Sequence, residues 1–273
     1  MVVHIKKKCL GVTTLCLPSD HLHMPSSANT RTKKKNNPPV QLFFKKQTCR
    51  LNSKSKKGDQ QIYLNIRGKR RSFVDDVPLK NPDKTYNMIC EIPRYTRKKM
   101  EVDWKTAHQP IIQDKNKDGT PRVYQWGDML FNYGALPQTW EDPDHVSAFT
   151  KKPGDDDPLD IIDIGDAQAS CGLIYKVKIL GILGMIDQNE TDWKVVAINI
   201  LDPRADQINT LKDVKRFKPG VLTSFREWLR MYKTAEGKAQ NSFAFNEAYK
   251  SKAFAEKIIN DTHKAWRAQQ KSH

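Results

Sequence analysis

The stretch Leu173-Ile-Tyr-Lys-Val-Lys-Ile-Leu-Gly-Ile-Leu-Gly-Met-Ile186, then Asp187-Gln-Asn-Glu-Thr-Asp192, then Trp193-Lys-Val-Val-Ala-Ile-Asn-Ile-Leu201, decides the fold class. Leu173, Tyr175, Val177 and Ile179 alternate with Ile174, Lys176 and Lys178, which predicts a half-buried strand. After Lys194 the second run is almost continuously apolar, as in a strand covered on both faces. Upstream, Ile62–Ile66 and Tyr86–Ile92 are rich in β-branched and aromatic residues, and Met100–Trp104 alternates apolar with acidic. Several short strands in succession predict a barrel or a folded-over sheet. The last third turns helical. Leu222, Phe225, Trp228, Leu229 and Tyr232 recur at helical spacing behind Gly220. Phe254, Ile258, Ile259 and Trp266 predict a terminal helix from about Asn246 to Gln269. Strands first and helices later give an α+β class, with helices packed on a mainly β core.

The chain has 273 residues, 38% hydrophobic and 29% charged, and a mean hydropathy of −0.71. Its longest apolar stretch, Ile179 to Ile186, falls far short of the ~18–20 residues that span a bilayer. The net charge of +16 is unevenly placed: residues 1–58 hold eleven lysines, two arginines and one acid, Asp20. We read 1–58 as a basic extension, disordered or targeting, and 59–273 as the folded domain. The extension offers polyanions a surface, and the nearly balanced body does not. The five cysteines are odd in number and include no C-x2-C pair, which predicts free thiols rather than a disulfide framework or zinc ribbon.

The densest chemical signal is Gly154-Asp-Asp-Asp-Pro-Leu-Asp-Ile-Ile-Asp-Ile-Gly165. Unpaired carboxylates this close raise one another's pKa, a cost that a solvated loop or bound cations relieve. An EF-hand loop from Asp155 fails, since Leu159 and Asp160 occupy the places that need Asp or Asn and then Gly. Hard divalent cations take carboxylate oxygens, and Mg²⁺ favours a few of them with water and phosphate. Asp192 and Lys194 share a face if extended, and so do Lys99 and Glu101. Each pair alone reads as a surface ion pair worth ~0–1 kcal/mol. Three acidic groups, two of them interleaved with lysine, fit a site that holds metals and an anion together.

These motifs resemble the family I soluble inorganic pyrophosphatases of eukaryotic type. Asp155-Asp-Asp-Pro-Leu-Asp160 stands as the D-x-D-P-x-D signature. It is flanked in order by EIPRYTRKKME (91–101), NYGALPQTWEDP (132–143), DQNETDWKVVAI (187–198) and EWLRMYKTAEGKAQNSFAF (227–245). The likeness runs from about Val77 to Trp266. It implies a five-stranded OB-like β-barrel with flanking helices and Mg²⁺-dependent hydrolysis of pyrophosphate to two phosphates. A homodimer is implied too, in the cytoplasm, or in the mitochondrial matrix if 1–58 is a transit peptide. By resemblance, Asp155, Asp160 and Asp192 hold the tightest Mg²⁺, Asp187 and Glu101 hold ions that arrive with substrate, and Glu91 lies near the metals. Asp157 activates the attacking water. Lys99, Arg122, Tyr133, Lys194, Tyr232 and Lys233 hold phosphate.

The segment Arg122-Val-Tyr-Gln-Trp-Gly-Asp-Met-Leu-Phe-Asn-Tyr133 is about four residues shorter than the resemblance implies. Met129 stands where a second functional tyrosine is expected, and a thioether donates no hydrogen bond. Tyr124 can substitute if the strand shifts. The competing expectation is a pyrophosphatase-like scaffold subunit, weak or inactive, marked by metal binding without turnover. A third reading, nucleic-acid binding through 1–58, is marked by a salt-dependent shift that truncation removes.

Overall fold

The computed structural model describes residues 47–52 and 61–272. Ten strands come first: β1 (Gln47–Asn52), β2 (Gln61–Ile66), β3 (Lys69–Arg71), β4 (Tyr86–Ile92), β5 (Met100–Val102), β6 (Ile111–Gln113), β7 (Asn132–Ala135), β8 (Asp160–Asp163), β9 (Ile174–Asp187) and β10 (Glu190–Asn199). Then follow α1 (Leu211–Phe217), α2 (Val221–Met231), the short β11 (Ser242–Phe243) and β12 (Lys250–Ser251), and α3 (Lys252–Ser272). β1 falls within the stretch read as an extension and pairs antiparallel with β2. The rest of 1–58 lies outside the described residues.

One sheet runs β1-β2-β6-β5. The other closes on itself: β4 pairs β7, β7 pairs β8, β8 pairs β10, β10 pairs β9, and β9 returns to β4. Only β8–β10 is parallel. This ring of five strands with helices around it is the expected OB-like arrangement. The strand β9 is longer than the alternation of residues 173–179 suggested, because the apolar run to Ile186 continues it. β10 is buried on both faces. Its Val196 and Ile198 join an apolar cluster with Ile89, Leu183, Phe225 and Trp228. Val195 and Ala197 join a second cluster with Met88, Ile179, Ile258 and Ile259 of α3.

The local signals explain most boundaries. Thr210 caps α1, with Asp213 completing a reciprocal capping box. Gly220 opens α2 at φ +84°, where a side chain would be strained. The terminal helix begins at Lys252 rather than near Asn246. Phe245, Asn246 and Glu247 take positive φ, and Lys250–Ser251 pair instead with Ile182 and Gly181 of β9. Gly134 lets β7 approach β4: a Cβ there would lie 1.8 Å from the Ile89 carbonyl oxygen. No helix among the described residues is long and apolar enough to cross a membrane.

Candidate active site

One end of the ring opens into a cavity of about 210 Å³. Its walls gather every residue carried over above: Glu91, Lys99, Glu101, Arg122, Tyr133, Asp155, Asp157, Asp160, Asp187, Asp192, Lys194, Tyr232 and Lys233. Strand register accounts for the centre. Asp160 opens β8 opposite Lys194 of β10, and Tyr133 lies on the neighbouring β7. Lys194 is 2% exposed and donates to the Asp160 and Asp192 carboxylates and, at 2.8 Å, to the Tyr133 hydroxyl. Tyr133 in turn donates to Asp160. Burial alone would lower the Lys194 pKa, but Asp160 and Asp192 outweigh it and hold the ammonium charged. Glu91 occupies the register break between β4 and β7, a bulge that aims it inward. There it accepts the Val102 N–H at 2.7 Å.

The loop before β8 divides its acids. Asp155 and Asp157 face the cavity. Asp156, at φ +69°, turns away and is held by the Trp140 indole N–H at 3.0 Å and by Lys105 at 2.7 Å. On the opposite walls, Lys233 donates to both oxygens of Asp187, and Lys99 pairs with Glu101. Arg122 is fixed by Asp114 at 2.9 Å and Glu236 at 2.8 Å. The shortened segment therefore keeps its arginine at the cavity. Met129 does not face it, being 1% exposed within the apolar core.

Burial and mutual repulsion act on the acids. Burial and Asp192 raise Asp155 well above the carboxylate range, and burial and Asp155 do the same to Glu141. Burial and Asp160 raise Glu91 likewise. Asp157, at the mouth, is pushed up to about 6 by surrounding protein and by Asp160. Asp192 is raised to about 7, chiefly by burial. Such groups want a cation. Glu141, Asp155 and Asp192 each offer an oxygen, and these three atoms lie within 4.8 Å of one another. The second oxygen of Glu141 is buried with no hydrogen-bond partner. An all-oxygen, anionic donor set with an unsatisfied buried lone pair fits a hard divalent metal.

A family model described as inorganic pyrophosphatase matches residues 88–267. The chain belongs to the inorganic pyrophosphatase family. It is 44% identical over 214 residues to the inorganic pyrophosphatase of Bos taurus, covering 77% of this chain and 74% of that one. It is 45% identical over 201 residues to a mouse relative named inorganic pyrophosphatase 2, mitochondrial, covering 70% and 61% of the two chains. The structure of inorganic pyrophosphatase from Schistosoma japonicum superposes with a TM-score of 0.74 at 45% identity, covering 76% of this chain and 75% of that one.

Around this pyrophosphatase cavity stand residues the sequence reading did not select. Glu141 lies inside NYGALPQTWEDP (132–143), but nothing in its spacing ties it to Asp155 and Asp192. Asp114 and Glu236 are far apart in sequence and meet only at Arg122. Trp228, one of the residues at helical spacing in α2, packs in the core and also lines the cavity.

The raised acids set a pH dependence. Asp157 and Asp192 bind protons more tightly folded than unfolded, so the stability they confer is complete below their unfolded pKa near 4. It is lost as pH rises through about 6 and about 7. The metal-free pyrophosphatase is expected to melt progressively lower from pH 5 to pH 7.5. A divalent cation replaces those protons, so it is expected to raise the melting temperature more at pH 7.5 than at pH 5. Melting curves in EDTA and in Mg²⁺ across this range check the point, and a flat metal-free profile would contradict it.

Proposed function

We propose that the chain hydrolyses inorganic pyrophosphate to two phosphates with Mg²⁺ as its metal, Asp157 acting as the base. The observation that carries this is one cavity in which Asp155, Asp157, Asp160, Asp187, Asp192 and Glu101 face Lys99, Arg122, Lys194 and Lys233. Asp155, Asp160 and Asp192 would hold the tightest ion, with Glu141 adjoining them, and Asp187 and Glu101 would hold ions that accompany substrate. A divalent metal held there would neutralise phosphate charge and make a nearby water more acidic than bulk water, whose pKa is about 15.7.

The chain's own groups do the rest. Lys99, Arg122, Lys194 and Lys233 bind the phosphates and offset charge on their oxygens. Tyr133 and Tyr232 add neutral donors. Asp157, with its pKa raised to about 6, accepts the proton of the attacking water near neutral pH. Lys233 is pulled below the usual lysine range by burial, against the Asp187 charge. That places it as the least firmly protonated of these cations. We place the enzyme in the cytoplasm as a homodimer. The mitochondrial name of the mouse relative gives the alternative compartment.

Phosphate release from pyrophosphate by the purified chain tests the reading. Turnover is expected in Mg²⁺ and none in EDTA. A folded chain that binds Mg²⁺ without turnover would put the scaffold reading in its place.

A further inference from the structure

Tyr124 was the only substitute on offer for the tyrosine missing at 129, and the structure gives it a definite position. Residues 97–99 and 122–124 pair as extended chains: Lys99 N–H donates to the Arg122 carbonyl at 3.2 Å, and Tyr124 N–H to the Arg97 carbonyl at 2.8 Å. An isolated bridge joins Lys98 and Val123 between them. In extended chain, residues two apart share a face. Arg122 and Tyr124 accordingly both line the cavity, while Val123 does not.

The ring of Tyr124 is 4% exposed. It is clamped edge-on against Trp228, centroids 4.8 Å apart, and against Tyr232 at 5.6 Å. Its two fellow tyrosines in the cavity are engaged: Tyr133 donates to Asp160, and Tyr232 reaches Asp187 at 3.5 Å. The Tyr124 hydroxyl donates to no group among the described residues. The fields of Lys99, Lys194 and Arg122 reach it, and so does that of the Asp160 carboxylate. Burial raises its pKa well above the phenol range, so it remains a neutral donor at any working pH. Asp160 already accepts from Tyr133 and Lys194, so a rigid, undirected O–H beside Lys99 and Arg122 is left to donate to an oxyanion that these cations draw in.

We propose that Tyr124 is a substrate-binding residue whose hydroxyl donates a hydrogen bond to a phosphate oxygen beside Lys99 and Arg122. The proposal deepens the pyrophosphatase reading and rests on it. It also supplies, from a different position in the chain, the donor that Met129 cannot.

The test is Tyr124→Phe, which keeps the ring and its packing. Its readouts are kcat, KM, melting temperature, and calorimetric affinity for imidodiphosphate, a nonhydrolysable pyrophosphate analogue, in Mg²⁺. A hydrogen bond to a charged partner contributes ~1.5–3 kcal/mol, or about 10- to 150-fold. The expected result is a loss of that order in kcat/KM, at least 10-fold weaker analogue binding, and an unchanged melting temperature. Met129→Leu is expected to alter none of these. Unchanged kinetics and analogue affinity in a folded Tyr124→Phe would overturn the proposal and leave the pyrophosphatase reading standing. A wild-type chain that binds the analogue without turnover would sink that reading, and Tyr124 is then decided by analogue affinity alone. A wild-type chain that does not bind the analogue overturns both.

Discussion

Asp157→Asn is expected to slow pyrophosphate hydrolysis by ~10²–10⁴, the usual worth of a general base, while Mg²⁺ affinity stays close to that of the parent chain. The amide keeps the shape and volume of the carboxylate, so the loop from Asp155 to Asp160 is not disturbed. The Asp157 backbone N–H still donates to Asp155, and its carbonyl still accepts from Glu141. What the amide lacks is a lone pair basic enough to take a proton near neutral pH. Phosphate release and Mg²⁺ titration calorimetry on the same preparation separate the possibilities. Near-wild-type turnover would remove Asp157 as the base. A parallel collapse in metal affinity would make it chiefly a ligand.

Lys194→Met should act on stability as well as rate. The lysine ammonium is the shared partner of Asp160, Asp192 and the Tyr133 hydroxyl, in a position 2% exposed to solvent. Methionine is unbranched like lysine and fills much of the same space, so the change is mainly electrostatic. Removing one partner of a buried ion pair leaves charge uncompensated, at a cost of ~3–5 kcal/mol. For a domain of this size that corresponds to a melting temperature lower by roughly 6–20 °C. The measurement is melting in EDTA, then in Mg²⁺. Mg²⁺ is expected to recover much of the loss, because a cation held by the same carboxylates replaces the missing ammonium. Hydrolysis is expected to stay depressed by ~10²–10³ even with the metal present, since a positioned donor to substrate charge is gone. An unchanged melting temperature in EDTA would show that the Lys194 network contributes no net stability.

The sequence by itself determined the kinds of chemistry in this protein and the local form of most of its elements. Period-two alternation named β9, unbroken apolarity named β10 as a strand covered twice, and helical spacing named α2. These patterns are local, and burial of one face or two enforces them directly. The crowded aspartates announced cations for an equally local reason: neighbours in the chain cannot escape one another's charge. Through the family resemblance, motif order then proposed roles for particular residues, from Glu91 to Lys233.

What depended on distant partners was not legible. The start of α3 shifted because Lys250–Ser251 pair with β9, a contact no helical pattern records. Asp156 looks like its neighbours in sequence, yet Trp140 and Lys105 draw it out of the cavity. Glu141 meets Asp155 and Asp192 because its backbone pairs with Asp156 and Asp157 and its carboxylate accepts the Trp193 N–H. Tyr124 and Met129 are the clearest case. The resemblance set the expected tyrosine at position 129 and residue type offered Tyr124, but pairing of residues 122–124 with 97–99 fixed which side chains face the cavity. Sequence spacing states which groups can share a strand face. Only backbone pairing across the fold decides which face looks into the site, because one residue of register turns every side chain over.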